Sequence, residues 1–231
     1  MNEVLRQEKK FLITLAQFYQ YAHYFDQIMH QDSHNKGEGY TIRSLYFDTL
    51  DDKDFNEKED GIEIRRKIRL RNYGSESTFA SLEMKQKQGA MQKKRSLKLK
   101  KEDAQRLIQR DYGVLLKYND PFAAECYYLL NALGYTPKTV IEYKRKAYIA
   151  KENNIRITFD HHIVGTESYY DIFSKDLFQN SIFHDDLVVL EVKYNGFLLS
   201  YLKDILQACN ASELSVSKYC LGRAVSKHYI F

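Results

Sequence analysis

The chain has 231 residues, 44% of them hydrophobic, so it is long enough to bury a full core and short enough to predict one domain over residues 1–231. Its 35 lysines and arginines nearly balance its 31 aspartates and glutamates, and the formal charge of +4 does not by itself indicate a nucleic-acid or membrane partner. Any functional charge must come from the arrangement of side chains.

Cysteine usage and hydropathy argue against further classes of protein. Cys126, Cys209 and Cys220 are odd in number and lack CxxC spacing, which disfavours a disulfide framework and a structural zinc site. No apolar run reaches the roughly 18 residues of a membrane helix, and the first six residues contain no signal-peptide core. We therefore expect a soluble, cytoplasmic protein.

The first third of the chain is predicted to form three strands and a helix. A short strand covers Arg6–Leu12, an amphipathic helix covers Ala16–Gln31, and a strand covers Tyr40–Asp48. The clearest strand is Ile62–Asn72, where apolar and charged residues alternate with a period of two. Its apolar face comprises Ile62, Ile64, Ile68 and Leu70, and its ionic face comprises Glu63, Arg65, Lys67, Arg69 and Arg71.

The remaining elements complete an α+β pattern. Later strands are predicted at Phe79–Lys87, Gln92–Lys98, Lys138–Ile149, Ile155–Asp160 and Leu187–Tyr194. Later helices are predicted at Glu102–Arg110, Pro121–Leu133, Leu198–Asn210 and Ser217–His228. The segment Gly165–Asp186 has no assignment. About eight strands, joined mostly by hairpins, predict an antiparallel, closed β-tunnel with helices packed around it.

Charged residues recur at alternate positions on five of these strands. For any single strand, an ionic face turned to water is the simpler interpretation. Because the apolar faces must pack against the helices, a closed sheet of such strands would turn its ionic faces into a lumen. The alternating residues are Arg6, Glu8 and Lys10; Arg65, Lys67, Arg69 and Arg71; Glu83, Lys85 and Lys87; Lys93 and Arg95; and Glu191 and Lys193.

A lumen of this kind would suit a phosphate chain. Crowded cations repel one another unless anions lie between them, and phosphate oxygens match both arginine forks and lysine ammonium groups. Glu8, Glu83 and Glu191 are candidate ligands of Mg²⁺ or Mn²⁺, and for the first two a salt bridge to a neighbouring cation is an equally good interpretation. The basic run at 93–95, together with Lys98, Lys100 and Lys101, also fits a nucleic-acid backbone, with a solvated edge as the simpler alternative.

Nine short motifs occur in a specific order along nearly the whole chain. They are Arg6–Phe11, Arg43–Asp48, Lys67–Arg71, Leu82–Lys85, Lys93–Arg95, Glu142–Arg145, Arg156–Asp160, Leu190–Lys193 and Ser217–Tyr219. In this order the sequence resembles the catalytic domain of the vacuolar transporter chaperone (VTC) polyphosphate polymerases, within the triphosphate tunnel metalloenzyme superfamily. Arg6 stands where the wider superfamily has the first of two glutamates, which is more similar to the VTC branch than to the hydrolases.

The resemblance implies roles for residues of these motifs. It implies that Lys218, Arg145 and Arg71 are catalytic, with Lys218 at the transferred phosphoryl group, and that Glu191 holds Mn²⁺ or Mg²⁺. The alternation of charges adds Glu8 as a second candidate metal ligand. The alternation of charges selects most of these residues by itself, but not Arg145 or Lys218. The phosphate- or nucleotide-binding candidates are Lys10, Arg43, Arg69, Arg71, Lys85, Lys93, Arg95, Arg145, Arg156, Lys193 and Lys218.

The implied reaction is transfer of the ATP γ-phosphoryl group to the end of a polyphosphate chain. Two alternatives stay open: a triphosphatase of the same fold acting on nucleoside or inorganic triphosphate, and a non-catalytic module that binds polyphosphate or RNA. The expected partners are ATP and inorganic polyphosphate or triphosphate, without specific nucleic-acid recognition. The sequence shows none of the membrane domains of eukaryotic relatives, so attachment to the inner face of a membrane would need a separate membrane protein.

Overall fold

The computed structural model describes residues 6–89, 91–208 and 217–227, and in this part of the chain it contains ten β-strands and six α-helices. The strands are β1 (Arg6–Thr14), β2 (His30–Gln31), β3 (Tyr40–Asp48), β4 (Ile64–Asn72), β5 (Phe79–Gln88), β6 (Met91–Lys100), β7 (Thr136–Ala150), β8 (Ile155–Thr166), β9 (Asn180–Ser181) and β10 (Leu187–Asn195). The helices are α1 (Leu15–Ile28), α2 (Lys53–Glu59), α3 (Lys101–Ile108), α4 (Pro121–Ala132), α5 (Ser200–Ala208) and α6 (Lys218–Lys227). All eight predicted strands are present.

The strands belong to one hydrogen-bonded sheet with the order β1-β10-β8-β7-β3-β4-β5-β6, to which the two-residue strands β2 and β9 add at β7 and β8. The pairings of β1 with β10, β10 with β8, β3 with β4, and β4 through β6 are antiparallel. The prediction of an α+β fold with an antiparallel sheet and surrounding helices is confirmed. None of the helices within the described residues is both long and apolar enough to cross a membrane.

The chain divides into two compact units, of which unit 1 takes in Met1–Thr41, Tyr143–Ile163 and Phe183–Ser217. Its core packs Phe18, Ala22 and Phe25 of α1 against apolar residues of β8 and β10. The hydroxyl of Thr14 accepts a hydrogen bond from the Gln17 backbone, and the Gln17 side chain accepts one from the Thr14 backbone. This capping box fixes the start of α1 directly after β1.

Unit 2 takes in Ile42–Glu142, Val164–Ile182 and Lys218–Phe231. Its core lies between one face of the strands β3, β4, β5 and β6 and the helices α3 and α4. It includes the fully buried Leu45, Ile68, Leu82 and Leu107. Because successive residues of a strand point to opposite faces, the charged residues between these apolar ones lie on the other face. The start of α4 is as predicted, with Asp120 as N-cap and Pro121 in the first turn.

Some predicted boundaries are wrong. The first helix ends at Ile28, because Met29 is extended and 30–31 pair with β7 as β2. Ile62 and Ile64 are 46% and 66% exposed, so the apolar face of β4 begins only at Ile68. The sequence did not predict α2, β2 or β9, and the ends of the last two predicted helices, 209–210 and residue 228, lie outside the described residues.

Candidate functional site

A cation-rich face of unit 2 runs across β4, β5 and β6. The register puts the β4 residues Lys67, Arg69 and Arg71 opposite Lys85, Glu83 and Ser81 of β5, on the side away from the core. On β6, Lys94 lies opposite Lys85. We call this surface the β4–β5–β6 ionic face, defined by Lys67, Arg69, Arg71, Glu83, Lys85 and Lys94.

Glu83 is the carboxylate at the centre of this face. Its Oε2 accepts hydrogen bonds from Arg69 Nε at 2.7 Å and Nη2 at 2.6 Å, and its Oε1 accepts one from Lys94 Nζ at 2.6 Å. Arg71 Nη1 lies 3.9 Å from Oε2. Burial raises the pKa of Glu83, but the two arginines and Lys94 outweigh burial and lower this pKa to about 2. Glu83 therefore forms ion pairs with cations of both neighbouring strands.

Two hydroxyl groups of β3 extend the same face. Arg71 Nε donates to Ser44 Oγ at 3.3 Å, and Arg69 Nη1 donates to the Tyr46 hydroxyl at 3.3 Å. Burial raises the pKa of Tyr46, but Arg69 and Arg71 lower it by a larger amount. The two arginines are therefore oriented by neutral groups of β3 as well as by β5.

Lys218 is the first residue of α6, and the residue that follows it packs on β3. The Tyr219 ring stacks on Tyr46 with the ring centres 5.1 Å apart, and its hydroxyl donates to Asp48. Lys67 Nζ lies 5.9 Å from the centre of the Tyr219 ring. Tyr219 therefore holds the first turn of α6, which carries the half-buried Lys218, beside the β4–β5–β6 ionic face.

The structure does not bring Arg43 to this face. Arg43 lies opposite Asn72, in the same phase as the core residue Leu45. It is 7% exposed, pairs with Glu142 and donates to the backbone oxygen of Ile172 at 3.2 Å. Its guanidinium group is thus used inside unit 2, where it holds the 172–174 segment against β3.

The prediction that Lys93 and Arg95 share the ionic face is wrong. Residues 93 and 95 of β6 lie opposite Gln86 and Met84, in the phase of the core. Arg95 Nη2 lies 2.6 Å from Glu125 Oε1 in α4, and its guanidinium carbon lies 5.1 Å from the centre of the Phe122 ring. Because residues 93–95 are three consecutive cations, they do not indicate which face of β6 each side chain occupies. The alternation of Leu97 and Leu99 predicts that residues 93 and 95 share the apolar face.

Unit 1 holds a second group of charges, centred on β1 and β10. Lys10 lies opposite Glu191, and Glu8 lies opposite Lys193. Lys10 Nζ lies 2.9 Å from Glu8 Oε1 and 3.7 Å from Glu191 Oε1, and Lys193 Nζ lies 2.9 Å from Glu191 Oε2. We call this group the unit 1 ionic cluster, defined by Glu8, Lys10, Arg145, Asp160, Glu191 and Lys193.

The carboxylate of Glu191 is ionised despite its burial. Burial raises its pKa, but Lys193, Lys10 and Arg145 together hold the pKa well below the usual range. Burial also lowers the pKa of Lys10, and Glu191 and Glu8 more than reverse this effect. Two lysines and two glutamates thus alternate across two strands, each within 4 Å of an opposite charge.

Arg145 is a fixed cation of this cluster. Its Nε and Nη2 donate to the two oxygens of the fully buried Asp160 at 2.6 and 2.7 Å, and Nη2 lies 3.6 Å from Glu191 Oε2. Burial lowers the pKa of Arg145, yet Asp160 raises it well above the usual value. The bidentate pair orients the guanidinium plane beside Glu191.

Arg156 lies in the same phase of β8 as Asp160, opposite Lys193 of β10. Its Nη2 lies 2.6 Å from Asp32 Oδ2 and donates to the Tyr40 hydroxyl at 3.2 Å. Arg156 therefore joins β8 to the segment before β3 within unit 1.

The unit 1 ionic cluster contains donor groups of the kind that a divalent cation takes. In the described residues, no three carboxylate, histidine or cysteine side chains come close enough to hold a metal by themselves. Mg²⁺ usually takes only one or two protein carboxylates and completes its shell with water and substrate phosphates. Glu191 and Glu8 supply two such carboxylates, and the buried Thr158 Oγ1, opposite Glu191, has no hydrogen-bond partner in the described part of the chain.

Sequence reasoning missed several residues of these two groups. The ionic phase predicted for β6 leaves Lys94 out, and the resemblance implies no role for Asp160, Tyr46 or Thr158. Asp160 had a usable signal, because it continues the alternation of Arg156 and Thr158 along a strand. Tyr46 had no comparable signal, since an aromatic residue in a strand is more often part of a core.

Solved structures show a shared fold. One of them is a proposed adenylyl cyclase from Hippeastrum that is described as having a dominant triphosphatase activity. The alignment covers 94% of this chain and 95% of the Hippeastrum chain, with a TM-score of 0.57 and 11% sequence identity. A proposed adenylate cyclase from Bacillus halodurans aligns over 92% and 95% with a TM-score of 0.53 and 13% identity. A comparison with curated proteins found no match.

The sequence itself matches the model of one protein family. The VTC domain model matches residues 5–227, which is nearly the whole chain. The chain therefore belongs to the VTC domain family, as the order of its motifs predicts.

Proposed function

We propose that this protein transfers the γ-phosphoryl group of ATP to the end of a polyphosphate chain. The observation that carries the proposal is the β4–β5–β6 ionic face, where five cations share one face of the sheet with one carboxylate in a chain of the VTC domain family. Such a face has the donors and the charge that a linear polyanion requires. The same residues do not by themselves distinguish a phosphate chain from water as the acceptor.

In this reaction a terminal oxygen of the polyphosphate chain attacks the γ-phosphorus, the bond to the β,γ-bridging oxygen breaks, and ADP leaves. The attacking oxygen is already ionised, so catalysis depends on alignment and on neutralisation of the spreading charge. We assign phosphate binding to Arg69, Arg71 and Lys85, and contact with the transferred phosphoryl group to Lys218. Arg43, Lys93 and Arg95 are left out of this proposal because they lie on the core side of unit 2.

The unit 1 ionic cluster is assigned to the metal and to further phosphate contacts. Glu191 and Glu8 would hold Mg²⁺ or Mn²⁺, which would neutralise phosphate charge when bound. Lys10, Lys193 and Arg145 would bind phosphate oxygens, with Arg145 oriented by Asp160. Arg156 is a further phosphate contact in this assignment.

The second candidate function is a triphosphatase, which would pass the same phosphoryl group to water. It is favoured by the fold shared with the Hippeastrum protein, whose described activity is triphosphatase. The two functions differ in their product, so the product decides between them.

The first test incubates the purified protein with ATP, a short polyphosphate primer and Mn²⁺ or Mg²⁺. We expect phosphate chains that lengthen with time on a gel and ADP in equal molar amount to the phosphate added. Orthophosphate without chain growth would replace this proposal by the triphosphatase. Tight polyphosphate binding without turnover in the presence of either metal would indicate a non-catalytic binding module.

The same assay tests the residue assignment. Lys218→Ala and Glu191→Gln should reduce chain synthesis at least about a hundredfold, because each removes a charge assigned to the reacting groups. Polyphosphate binding should largely survive, because the ionic face of unit 2 is unchanged. Lys93→Ala and Glu125→Gln change the same residue types on the core side of unit 2 and should keep full activity. Unaltered synthesis in both site variants would refute the assignment.

A further inference from the structure

Glu83 forms ion pairs with cations that a bound phosphate would also contact. Its side chain is 8% exposed, and it contacts donors from both neighbouring strands: Arg69 at 2.6 Å, Lys94 at 2.6 Å and Arg71 at 3.9 Å. Two carboxylate oxygens receive an arginine fork on one side and an ammonium group on the other. Phosphate oxygens accept the same donors in the same geometry.

The surrounding charges show why an anion belongs at this position. Lys67 and Lys85 lie directly opposite each other on β4 and β5, and Lys85 lies opposite Lys94 of β6. Like charges directly opposite each other destabilise a sheet. Among the six residues that define the β4–β5–β6 ionic face, five are cations and Glu83 is the one carboxylate. It lowers the repulsion among them while the face is empty of ligand.

We propose that Glu83 is a resident counterion that competes with phosphate for Arg69 and Lys94, and so keeps the affinity of the ionic face for polyphosphate moderate. A phosphate group that engages these two cations must share their positive charge and their N–H donors with Glu83. It also approaches the negative charge of Glu83. If the proposed polymerase function holds, this competition lets a growing chain move along the face instead of remaining bound.

The arrangement argues against Glu83 as a metal ligand. Three cations lie within 4 Å of its oxygens, as is also true of Glu191, but Glu191 shares Lys10 with a second carboxylate, Glu8, whereas Glu83 has no other carboxylate among the residues that define its face. The cations also keep the pKa of Glu83 near 2, so the counterion is ionised over the whole physiological range.

The test measures the binding of inorganic triphosphate by calorimetry, in the presence of EDTA and without ATP. Glu83→Gln keeps the size of the side chain and removes its charge, and we expect the dissociation constant to fall about tenfold. Glu83→Asp keeps the charge and should bind within about threefold of the parent protein. Glu125→Gln, which removes the partner of Arg95 on the core side, should leave the affinity unchanged.

An unchanged or weaker affinity of Glu83→Gln would overturn the proposal, because it would make Glu83 a purely structural partner of Arg69. A loss of affinity that appears only when Mn²⁺ replaces EDTA would make Glu83 a metal ligand and would also overturn it. Removing the charge can destabilise the fold, so Glu83→Ser, which matches Ser81 and Ser96 on the same face, serves as a second variant. If both variants unfold, triphosphate must restore the native circular dichroism spectrum, and failure to do so contradicts the proposal.

The proposal rests on the proposed function only for its consequence in turnover. An active polymerase should show a lower KM and a lower kcat in Glu83→Gln, because tighter binding slows release of the product. If the parent protein makes no polymer but Glu83→Gln still binds triphosphate more tightly, the proposed polymerase function is wrong and the proposed role of Glu83 is supported. If the polymer forms and the affinity does not change, the proposed role of Glu83 is wrong and the polymerase function is supported.

Discussion

A single buried carboxyl group of α2 is expected to make stability depend on pH. Asp54 is 1% exposed, its Oδ1 accepts a hydrogen bond from the Tyr135 hydroxyl at 2.9 Å, and its Oδ2 has no hydrogen-bond partner among the described residues. Burial, followed by the charge of Asp48, raises the pKa of Asp54 from 3.8 to about 7. The folded protein therefore binds this proton more tightly than the unfolded chain does.

The sign of the effect follows from that difference. The stabilising contribution of Asp54 is fully present below the unfolded pKa of 3.8 and is lost as the pH rises through about 7. Asp54→Asn should thus raise the free energy of unfolding at pH 8 by up to about 4 kcal/mol, at about 1.4 kcal/mol per pKa unit, and should change it little at pH 4. Urea unfolding at both pH values measures this. Asp60→Asn, at the exposed end of the same helix, is the control, and an equal gain at pH 4 would contradict the interpretation.

At the scale of elements, the segment before β3 depends on one glycine. Gly39 has a φ of +117°, and a Cβ added there would lie 2.2 Å from the backbone oxygen of Arg145. Gly37 has a φ of +55°, and a Cβ added there would meet nothing within 4 Å. The close approach of Gly39 to β7 therefore helps to fix the strand that carries Arg145.

Gly39→Ala should lower the free energy of unfolding by more than about 3 kcal/mol, because backbone atoms cannot move away as a flexible side chain would. Gly37→Ala is the matched control and should cost about 1 to 2 kcal/mol, the ordinary penalty of the left-handed conformation. Denaturant unfolding of the two variants gives both values. Equal losses would show that the contact with Arg145 carries no strain.

The elements also show what an alternating pattern can predict. On β4 and β5, apolar and charged residues alternate cleanly, so the faces of Arg69 and Lys85 were predicted correctly. On β6, a run of three cations fits either phase, and the buried Leu99 fixes it. The helix α2 has seven residues and is held by the Asp48 side chain, which accepts hydrogen bonds from the backbone of residues 54 and 55. A helix this short, held by a side chain that lies outside it, has little periodic signal of its own.

At the scale of the whole molecule, the net charge of +4 conceals two local arrangements. The unit 1 ionic cluster has three cations and three carboxylates, so its formal charges cancel. The β4–β5–β6 ionic face has five cations and one carboxylate. We infer that the face of unit 2 dominates the attraction of a polyanion, and that the balanced cluster of unit 1 suits a metal bound together with its phosphates.

This difference predicts a steep dependence of polyphosphate binding on salt. Several cations should release counterions together on binding, so the affinity should fall roughly tenfold or more between about 50 and 200 mM NaCl. Fluorescence titration with labelled polyphosphate at four salt concentrations gives the slope. Lys85→Ala should make the slope shallower by about one, whereas Lys93→Ala should leave it unchanged. A flat salt response in the parent protein would contradict an ionic binding face.

The sequence by itself determined the class of fold, the eight main strands and the family, because each depends on local periodicity or on the order of motifs. It also selected Arg69, Arg71, Lys85 and Glu191 by their alternation, whereas the single domain over residues 1–231 stays a prediction. Only the tertiary structure decided which neighbours each charge meets. In the folded protein Arg43 and Arg95 form ion pairs within unit 2, and Arg145 forms an ion pair with Asp160. Glu83 forms ion pairs with cations of the neighbouring strands. The reason is that strand register and helix packing bring together charges from distant parts of the chain, and local spacing does not contain that information.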